Sequence, residues 1–334
     1  MSTVSNTVDR VLGGLYIGSY LALDTLGDSQ LKENHISHII SVFQGELPEK
    51  YQSDFTTKSI PIDDDEFTNI IQYFDETNQF LNHALFPDEG DSIQRGIKKA
   101  HKTCALIMCQ AGVSRSSTIL AAYLMKKYNL NPDQAIHAIK RKRSIVQPNE
   151  NFKEQLDLYY ELDCELDQTS PIYRQWELQH SLKSDPTGQS ILSKDSTFVE
   201  EDESTAQLKT DQDLKQLRCK RCRQKLALST SFVDHIPPSE DSKQAQFVRK
   251  APNLRRIISA QAASNTCSHY FVEPLNWMKE ELQGKQELEG KFQCPKCETK
   301  VGGYSWKGSR CSCGKWMVPA IHLQRAKVDE IKLK

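Results

Sequence analysis

The chain has 334 residues, 38% hydrophobic and 26% charged, with a formal net charge of −1; that length suits two domains, which usually run to about 100–200 residues each. The start, MSTVSNTVDR, lacks the apolar run of a secretory leader, and no stretch approaches the ~20 apolar residues a membrane helix needs, so a soluble intracellular protein with no membrane partner is expected. In a reducing compartment, ten cysteines point to chemistry or metal ligation rather than to a disulfide framework.

The near-neutral total hides a split. Residues 1–213 carry 20 basic and 33 acidic side chains, net −13, while residues 214–334 carry 23 and 11, net +12. The second part is expected to meet something anionic, nucleic acid being the usual candidate.

In chain order, short β-branched runs at Leu15 to Gly18, His38 to Val42, Lys58 to Ile62 and Cys104 to Met108 read as buried strands. Between the last two, Ile70, Ile71, Phe74, Leu81 and Leu85 keep a helical period, and the acidic run Asp63 to Glu66 stands where carboxylates favour a helix start. Helices are expected over Ser116 to Tyr128, from Pro132 to about Lys142, and from near Asn149. The alternation predicts an α/β fold with a mainly parallel central sheet flanked by helices, over residues 1–165. Residues 166–213 are polar and acidic, with EEDE at Glu200 to Glu203, and read as a flexible linker; the segment around Trp176 reads equally as a short helix that docks on a folded part or as a transient helix within the linker. Residues 214–334 hold paired cysteines and read as a small, basic, zinc-binding domain.

The most informative segment is ALIMCQAGVSRSSTILAAYLM. An apolar strand ends at Met108, Cys109 follows, and Arg115 stands six positions later at the mouth of a helix. Strand, tight loop and helix N-terminus make an anion cradle: the backbone N–H groups of Gln110, Ala111, Gly112, Val113, Ser114 and Arg115 can converge on phosphate oxygens, and Gly112 lets the loop turn. Arg115 supplies a planar fork for two of those oxygens. A cysteine at the focus is a candidate nucleophile, with Ser116 placed to hydrogen-bond its sulfur. Cys104, on the strand, is expected to be a core residue.

Further on stand Cys219-x-x-Cys222, His235, Cys267 with His269, Cys294-x-x-Cys297 and Cys311-x-Cys313. Seven cysteines and one histidine suffice for two tetrahedral structural zinc sites. Two distant Cys-x-x-Cys pairs normally share an ion, which groups Cys219, Cys222, Cys294 and Cys297, and leaves Cys267, Cys311 and Cys313 for a second site with His235 first and His269 second as its histidine. Cross-pairing stays open. With two zinc ions bound, the +12 of residues 214–334 falls to about +9. Basic clusters at Arg218 to Lys225, Arg249 to Arg256 and Lys307 to Lys315, with Tyr304, Trp306 and Trp316 nearby, are expected to contact phosphates and stack on bases, against the plainer reading of a solvated basic face with core aromatics.

CQAGVSRSS resembles the signature of the cysteine-based dual-specificity phosphatases, and the similarity runs from about Asp9 to Cys164, including LYIGS and SIVQPNENF. The resemblance implies that Cys109 attacks phosphorus to give a phosphocysteine, that an aspartic acid protonates the leaving oxygen and then serves as base, and that catalysis needs no metal. Among Asp63, Asp64 and Asp65, counting back from Tyr73-Phe74 places Asp64 at the acid position. The family has a histidine before the nucleophile where this chain has Met108, which implies slower turnover. The uncharged loop residues favour a phosphoprotein substrate, with phosphotyrosine and phosphoserine/threonine both open. Together with the cysteine array, HYFVEPLNWM and CSCGKWMVPA, the whole chain resembles the eukaryotic YVH-type subfamily. That implies an Mss-four-like β fold for the zinc domain, a role in maturation of the large ribosomal subunit through contact with the pre-ribosome or its RNA/protein surface, and residence in nucleus and cytoplasm. The alternative is a weak or inactive phosphatase whose zinc domain acts as a ribosome-assembly module.

Overall fold

The computed structural model describes residues 8–89, 93–96, 103–201, 214–239, 242, 267–283 and 287–333. It divides into two compact units, Met1–Gln168 and Thr169–Lys334.

The first unit is built on five strands, β1 (Val8–Leu12), β2 (Leu15–Ser19), β3 (Ile36–Val42), β4 (Thr56–Ile60) and β5 (Cys104–Cys109), in the order β1-β2-β5-β3-β4. The first pair is an antiparallel hairpin and every other pairing is parallel, so the sheet is mainly parallel as expected. All six side chains of the central strand β5 are buried, and alternation sends them to two faces. Cys104, Leu106 and Met108 pack with Tyr16, Leu23, Leu31, Phe43, Tyr51 and Phe55, under α1 (Tyr20–Glu33) and α2 (Glu49–Asp54). Ala105, Ile107 and Cys109 turn to the other face. Neither α1 nor α2 is foreseen above: the polar run after Asp24 and the kink at Gly27 hide the period of α1.

α3 (Phe74–Leu85), α4 (Arg115–Tyr128), α5 (Pro132–Lys140) and α6 (Glu150–Glu161) complete the layer. α3 begins eleven residues after Asp63, after a short 3₁₀ turn at Ile71–Tyr73. The expected helix start at Asp63 to Glu66 is therefore corrected: Asp75 and Glu76 occupy the first turn instead. α5 and α6 start where Asn131 and Asn149 accept backbone N–H bonds from Gln134 and Phe152.

The second unit is β-rich. β6 (Lys215–Cys219), β7 (Lys225–Leu228) and β14 (Val328–Lys332) form one antiparallel sheet; β8 (His269–Phe271), β9 (Glu289–Gln293), β10 (Lys300–Ser305) and β13 (Ala320–Gln324) form another; β11 (Ser309–Arg310) and β12 (Trp316–Met317) make a small ribbon. The expected linker is corrected here. Residues 171–184 form a full helix, α7, and its Leu178 joins Ile191, Leu192 and Phe198 in one core with Leu217, Leu226, Phe292, Val301 and Leu323. A bidentate pair holds it: Arg174 Nε and Nη2 donate to Glu273 Oε1 and Oε2 at 2.9 and 2.8 Å, with the Glu273 side chain 5% exposed. Residues 202–213 of that segment lie outside the described residues.

Candidate functional site

β5 delivers Cys109 to the end of the sheet, and the chain turns through residues 110–114 into α4. The turn requires Gly112: its φ is +68°, and a Cβ there would stand 2.6 Å from the Gly18 carbonyl oxygen. Two donors converge on the Cys109 sulfur, the Gly112 N–H at 3.2 Å and the Ser116 hydroxyl at 3.2 Å, an arrangement that suits a sulfur carrying negative charge. Met108 points to the opposite face of the sheet, into the α1/α2 cluster.

Ser114 precedes α4 but its side chain does not cap the helix; its hydroxyl donates to Asp64 Oδ1 at 2.8 Å. The first bond of the α4 helical ladder runs from Thr118 N–H to Ser114 O, so the preceding N–H groups are those a helix cannot pair within itself. Arg115 Nη1 donates to the Ile62 carbonyl at 2.9 Å, and its Nε stands 3.7 Å from Asp64 Oδ2. That Nε is buried with no hydrogen-bond partner among the described residues. A buried orphan donor beside an anion cradle fits an incoming phosphate oxygen. Gln110 is exposed, Ala111 and Val113 are half-buried, and Ser114 and Ser116 are buried.

The three consecutive aspartates separate by their contacts. Asp63 Oδ2 accepts from Gln44 at 3.2 Å, and Asp65 Oδ1 accepts the Phe67 and Thr68 N–H groups at 3.0 and 2.8 Å, a local turn cap. Asp64 bonds to the loop around Cys109 through Ser114, and Asn149 Nδ2 donates to the same Oδ1 at 2.7 Å. Cys104 is buried in the core, where burial raises its thiol above the usual range.

Residues not anticipated from the sequence complete the loop. Arg143, with its side chain 1% exposed, donates from Nε to Gly112 O at 2.8 Å, from Nη2 to Ala111 O at 3.1 Å, and from Nη1 to Asp9 Oδ2 at 2.6 Å. Gln155 Oε1 accepts from the Ile70 and Ile71 N–H groups at 2.8 and 3.0 Å, and Asn151 Nδ2 donates to Asp65 O and Thr68 O. Nothing local distinguishes Arg143 from Arg141 or Lys142 beside it. Asn149 is legible as a helix cap, and Asn151 and Gln155, four apart, as one helix face.

In the second unit two groups of ligand atoms each lie within 4.8 Å of one another: Cys219, Cys222, Cys294 and Cys297; and His235, Cys267, Cys311 and Cys313. His235, not His269, is in the second group. Both Cys-x-x-Cys knuckles fold alike: Arg223 and Glu298 adopt left-handed backbone (φ 64° and 57°), and their N–H groups bond Cys219 O and Cys294 O. Sulfurs held about 2.3 Å from a tetrahedral zinc ion lie about 3.8 Å apart, and a sulfur and a histidine nitrogen about 3.6 Å apart. The distances are 3.8 Å for Cys219–Cys297, 3.5 Å for Cys222–Cys294, and 3.5 Å for Cys267 Sγ to His235 Nε2. The donor sets therefore fit zinc. In the second group burial, then the neighbouring Cys311 sulfur, raises the Cys267 thiol, a crowding of sulfurs that a bound dication would relieve.

The nucleic-acid reading is corrected in part. Tyr304 and Trp306 are each 3% exposed and belong to the core, unable to stack on bases. Arg223 pairs with Asp329, and Arg221 donates to Thr299, so part of the first basic cluster serves the fold. Residues 249–256 lie outside the described residues. Trp316, 43% exposed with the Arg310 guanidinium 5.8 Å from its ring, keeps an open face.

Comparison with known proteins matches residues 15–162 to the dual specificity phosphatase catalytic domain. The chain is 47% identical over 345 residues to the tyrosine-protein phosphatase YVH1 of Saccharomyces cerevisiae, covering 99% of this chain and 94% of that one. It is 30% identical over 327 residues to human dual specificity protein phosphatase 12, covering 97% and 88%. The crystal structure of the Yvh1 phosphatase domain from Chaetomium thermophilum aligns with TM-score 0.40 and 26% identity over 48% of this chain and 99% of that one.

Proposed function

The chain belongs to the YVH1-type dual-specificity protein phosphatases, and from that premise we propose how its own residues divide the reaction. Cys109 Sγ attacks the phosphorus of a phosphorylated protein side chain while the P–O ester bond breaks. Asp64 gives its proton to the departing oxygen, leaving a phosphocysteine. The backbone N–H groups of residues 110–115 and the Arg115 fork hold the three phosphoryl oxygens. Asp64, now a carboxylate, takes a proton from the water that attacks the thiophosphate, and the Ser116 hydroxyl stabilises the leaving thiolate. The observation that carries this reading is the convergence of Gly112 N–H and Ser116 Oγ on Cys109 Sγ, with Arg115 and Asp64 3.7 Å apart beside it. Because Met108 packs on the opposite face, these donors act on the sulfur without help from residue 108, which favours the working enzyme over the inactive alternative. The open loop, uncharged between Cys109 and Arg115, suits both phosphotyrosine and phosphoserine/threonine. The test is turnover of phosphopeptides of both kinds by the full chain. Cys109→Ser is expected to abolish both, and Arg115→Lys to slow both by about 10²–10³-fold; activity surviving Cys109→Ser contradicts the assignment.

The two cysteine clusters would each hold a structural zinc ion, which supplies folding free energy to the second unit and takes no part in phosphate chemistry. For that unit we propose contact with the large ribosomal subunit during its maturation, in nucleus and cytoplasm. What supports it is the +12 charge of residues 214–334 and the open face of Trp316 beside Arg310. Co-sedimentation of the full chain with large-subunit precursors is expected to weaken steeply with salt and on zinc chelation; indifference to both contradicts it.

A further inference from the structure

The two oxygens of Asp64 are not equivalent. Oδ1 accepts from the Ser114 hydroxyl at 2.8 Å and from Asn149 Nδ2 at 2.7 Å, whereas Oδ2 faces Arg115 Nε at 3.7 Å. A carboxyl oxygen has two lone pairs, and at Oδ1 both are engaged by donors. A proton on Asp64 therefore belongs on Oδ2, the oxygen that looks toward the arginine and the cradle.

Asn149 organises this asymmetry from both ends. Its backbone N–H donates to Ser114 Oγ at 3.1 Å, which leaves the Ser114 proton to point at Asp64. Its side-chain amide is fixed by the helix start, since Oδ1 accepts from Phe152 N at 2.8 Å and so turns Nδ2 toward Asp64. The ring Asn149 N–H, Ser114 O–H, Asp64 Oδ1, Asn149 Nδ2 is closed. Behind it the loop is fastened to α6: Asn151 Nδ2 donates to Thr68 O at 2.9 Å, Gln155 Nε2 donates to the same oxygen at 2.9 Å, and Gln155 Oε1 accepts from Ile70 N and Ile71 N.

We infer that Asn149 is a positioning residue for proton delivery: by occupying Asp64 Oδ1 it reserves Oδ2 for the transferable proton and holds that oxygen beside Arg115. The inference rests on the assignment of Asp64 as the acid. In the step concerned, the proton leaves Oδ2 for the ester oxygen as the P–O bond breaks toward that oxygen, and Asp64 ends as a carboxylate held by Ser114 and Asn149.

The experiment compares full-length wild type, Asp64→Asn and Asn149→Ser on 2,4-dinitrophenyl, 4-nitrophenyl and phenyl phosphate, leaving groups of falling acidity. Serine preserves the helix cap but is too short to reach Asp64. For Asn149→Ser we expect dinitrophenyl phosphate turnover within about two-fold of wild type and phenyl phosphate turnover down about 10–100-fold, because proton donation matters only for the poor leaving group. Asn149→Asp, which also caps the helix but replaces the donor with an acceptor, is expected to lose activity in the same order. A uniform fall across the series, or none, in Asn149→Ser overturns the inference while a selective fall in Asp64→Asn keeps the acid assignment. If Asp64→Asn itself falls uniformly, or the wild type shows no turnover dependent on Cys109, both fail.

Discussion

Replacing Arg143 by alanine should loosen the loop at Cys109 from behind. Its guanidinium is almost wholly buried and bonds the carbonyls of Ala111 and Gly112 and the Asp9 carboxylate. Truncation leaves two inward carbonyls without this donor, at about 1–3 kcal/mol for each one stranded, and strips a partly buried carboxylate of its cation. Breaking such a pair costs about 3–5 kcal/mol in all, the losses not being additive. For a unit of this size, each kcal/mol lowers the melting temperature by about 2–4 °C, so a fall of roughly 6–20 °C is expected. Because the bonded carbonyls belong to the loop proposed to hold the phosphoryl oxygens, inhibition by vanadate should weaken as well, by at least about ten-fold if one preorganised donor is lost. The assays are thermal unfolding, and vanadate inhibition of 4-nitrophenyl phosphate turnover at a temperature well below the melting point of the variant. An Arg143→Ala protein that melts lower but binds vanadate as wild type does would refute the claim that Arg143 shapes the loop.

Three further outcomes are expected. Met108→His places an imidazole among Tyr16, Phe43 and Leu106 on the face away from Cys109, and should lower stability by about 1–3 kcal/mol unless it finds a partner; a rise in melting temperature contradicts the packing. Metal analysis of the full chain should find two zinc ions, falling to one in Cys294→Ser, with 4-nitrophenyl phosphate turnover retained; a stoichiometry unchanged in the variant rules out the pairing. Burial, aided by His269 and Lys300, holds His322 down at about 4. Folded His322 therefore stays neutral where the unfolded chain, near 6.5, already binds a proton. Its contribution is complete above about pH 6.5 and is lost as pH falls toward 4, a destabilisation of up to about 3 kcal/mol; denaturant titrations at pH 7 and pH 5 should differ less in His322→Asn, and equal differences would exclude His322 as the source.

The loop at Cys109 was legible because its chemistry is local: strand, turn glycine, arginine and helix start follow one another within a dozen residues. The cysteine groups were legible because metal ligation restricts residue type and spacing. Other features were not, because they are settled at long range. Asp63 to Glu66 looked like a helix start, yet Asp64 is bound by Ser114 and Asn149, fifty and eighty-five residues away, the chain bends locally at Asp65, and the helix begins only at Phe74. α7 hides in an acidic, polar stretch because its fixing partner, Glu273, lies ninety-nine residues on. Tyr304 and Trp306 sit among basic residues in sequence but face inward from β10 and the turn after it, where packing with Phe292 claims them.

The central claim is that Cys109 carries the phosphoryl group. It is tested most directly by acid-quenching the full-length protein during turnover of a labelled aryl phosphate and mapping the modified peptide. The account predicts a label on Cys109, accumulating in Asp64→Asn and absent from Cys109→Ser. Turnover that proceeds with no label on Cys109, or that continues in Cys109→Ser, would contradict it.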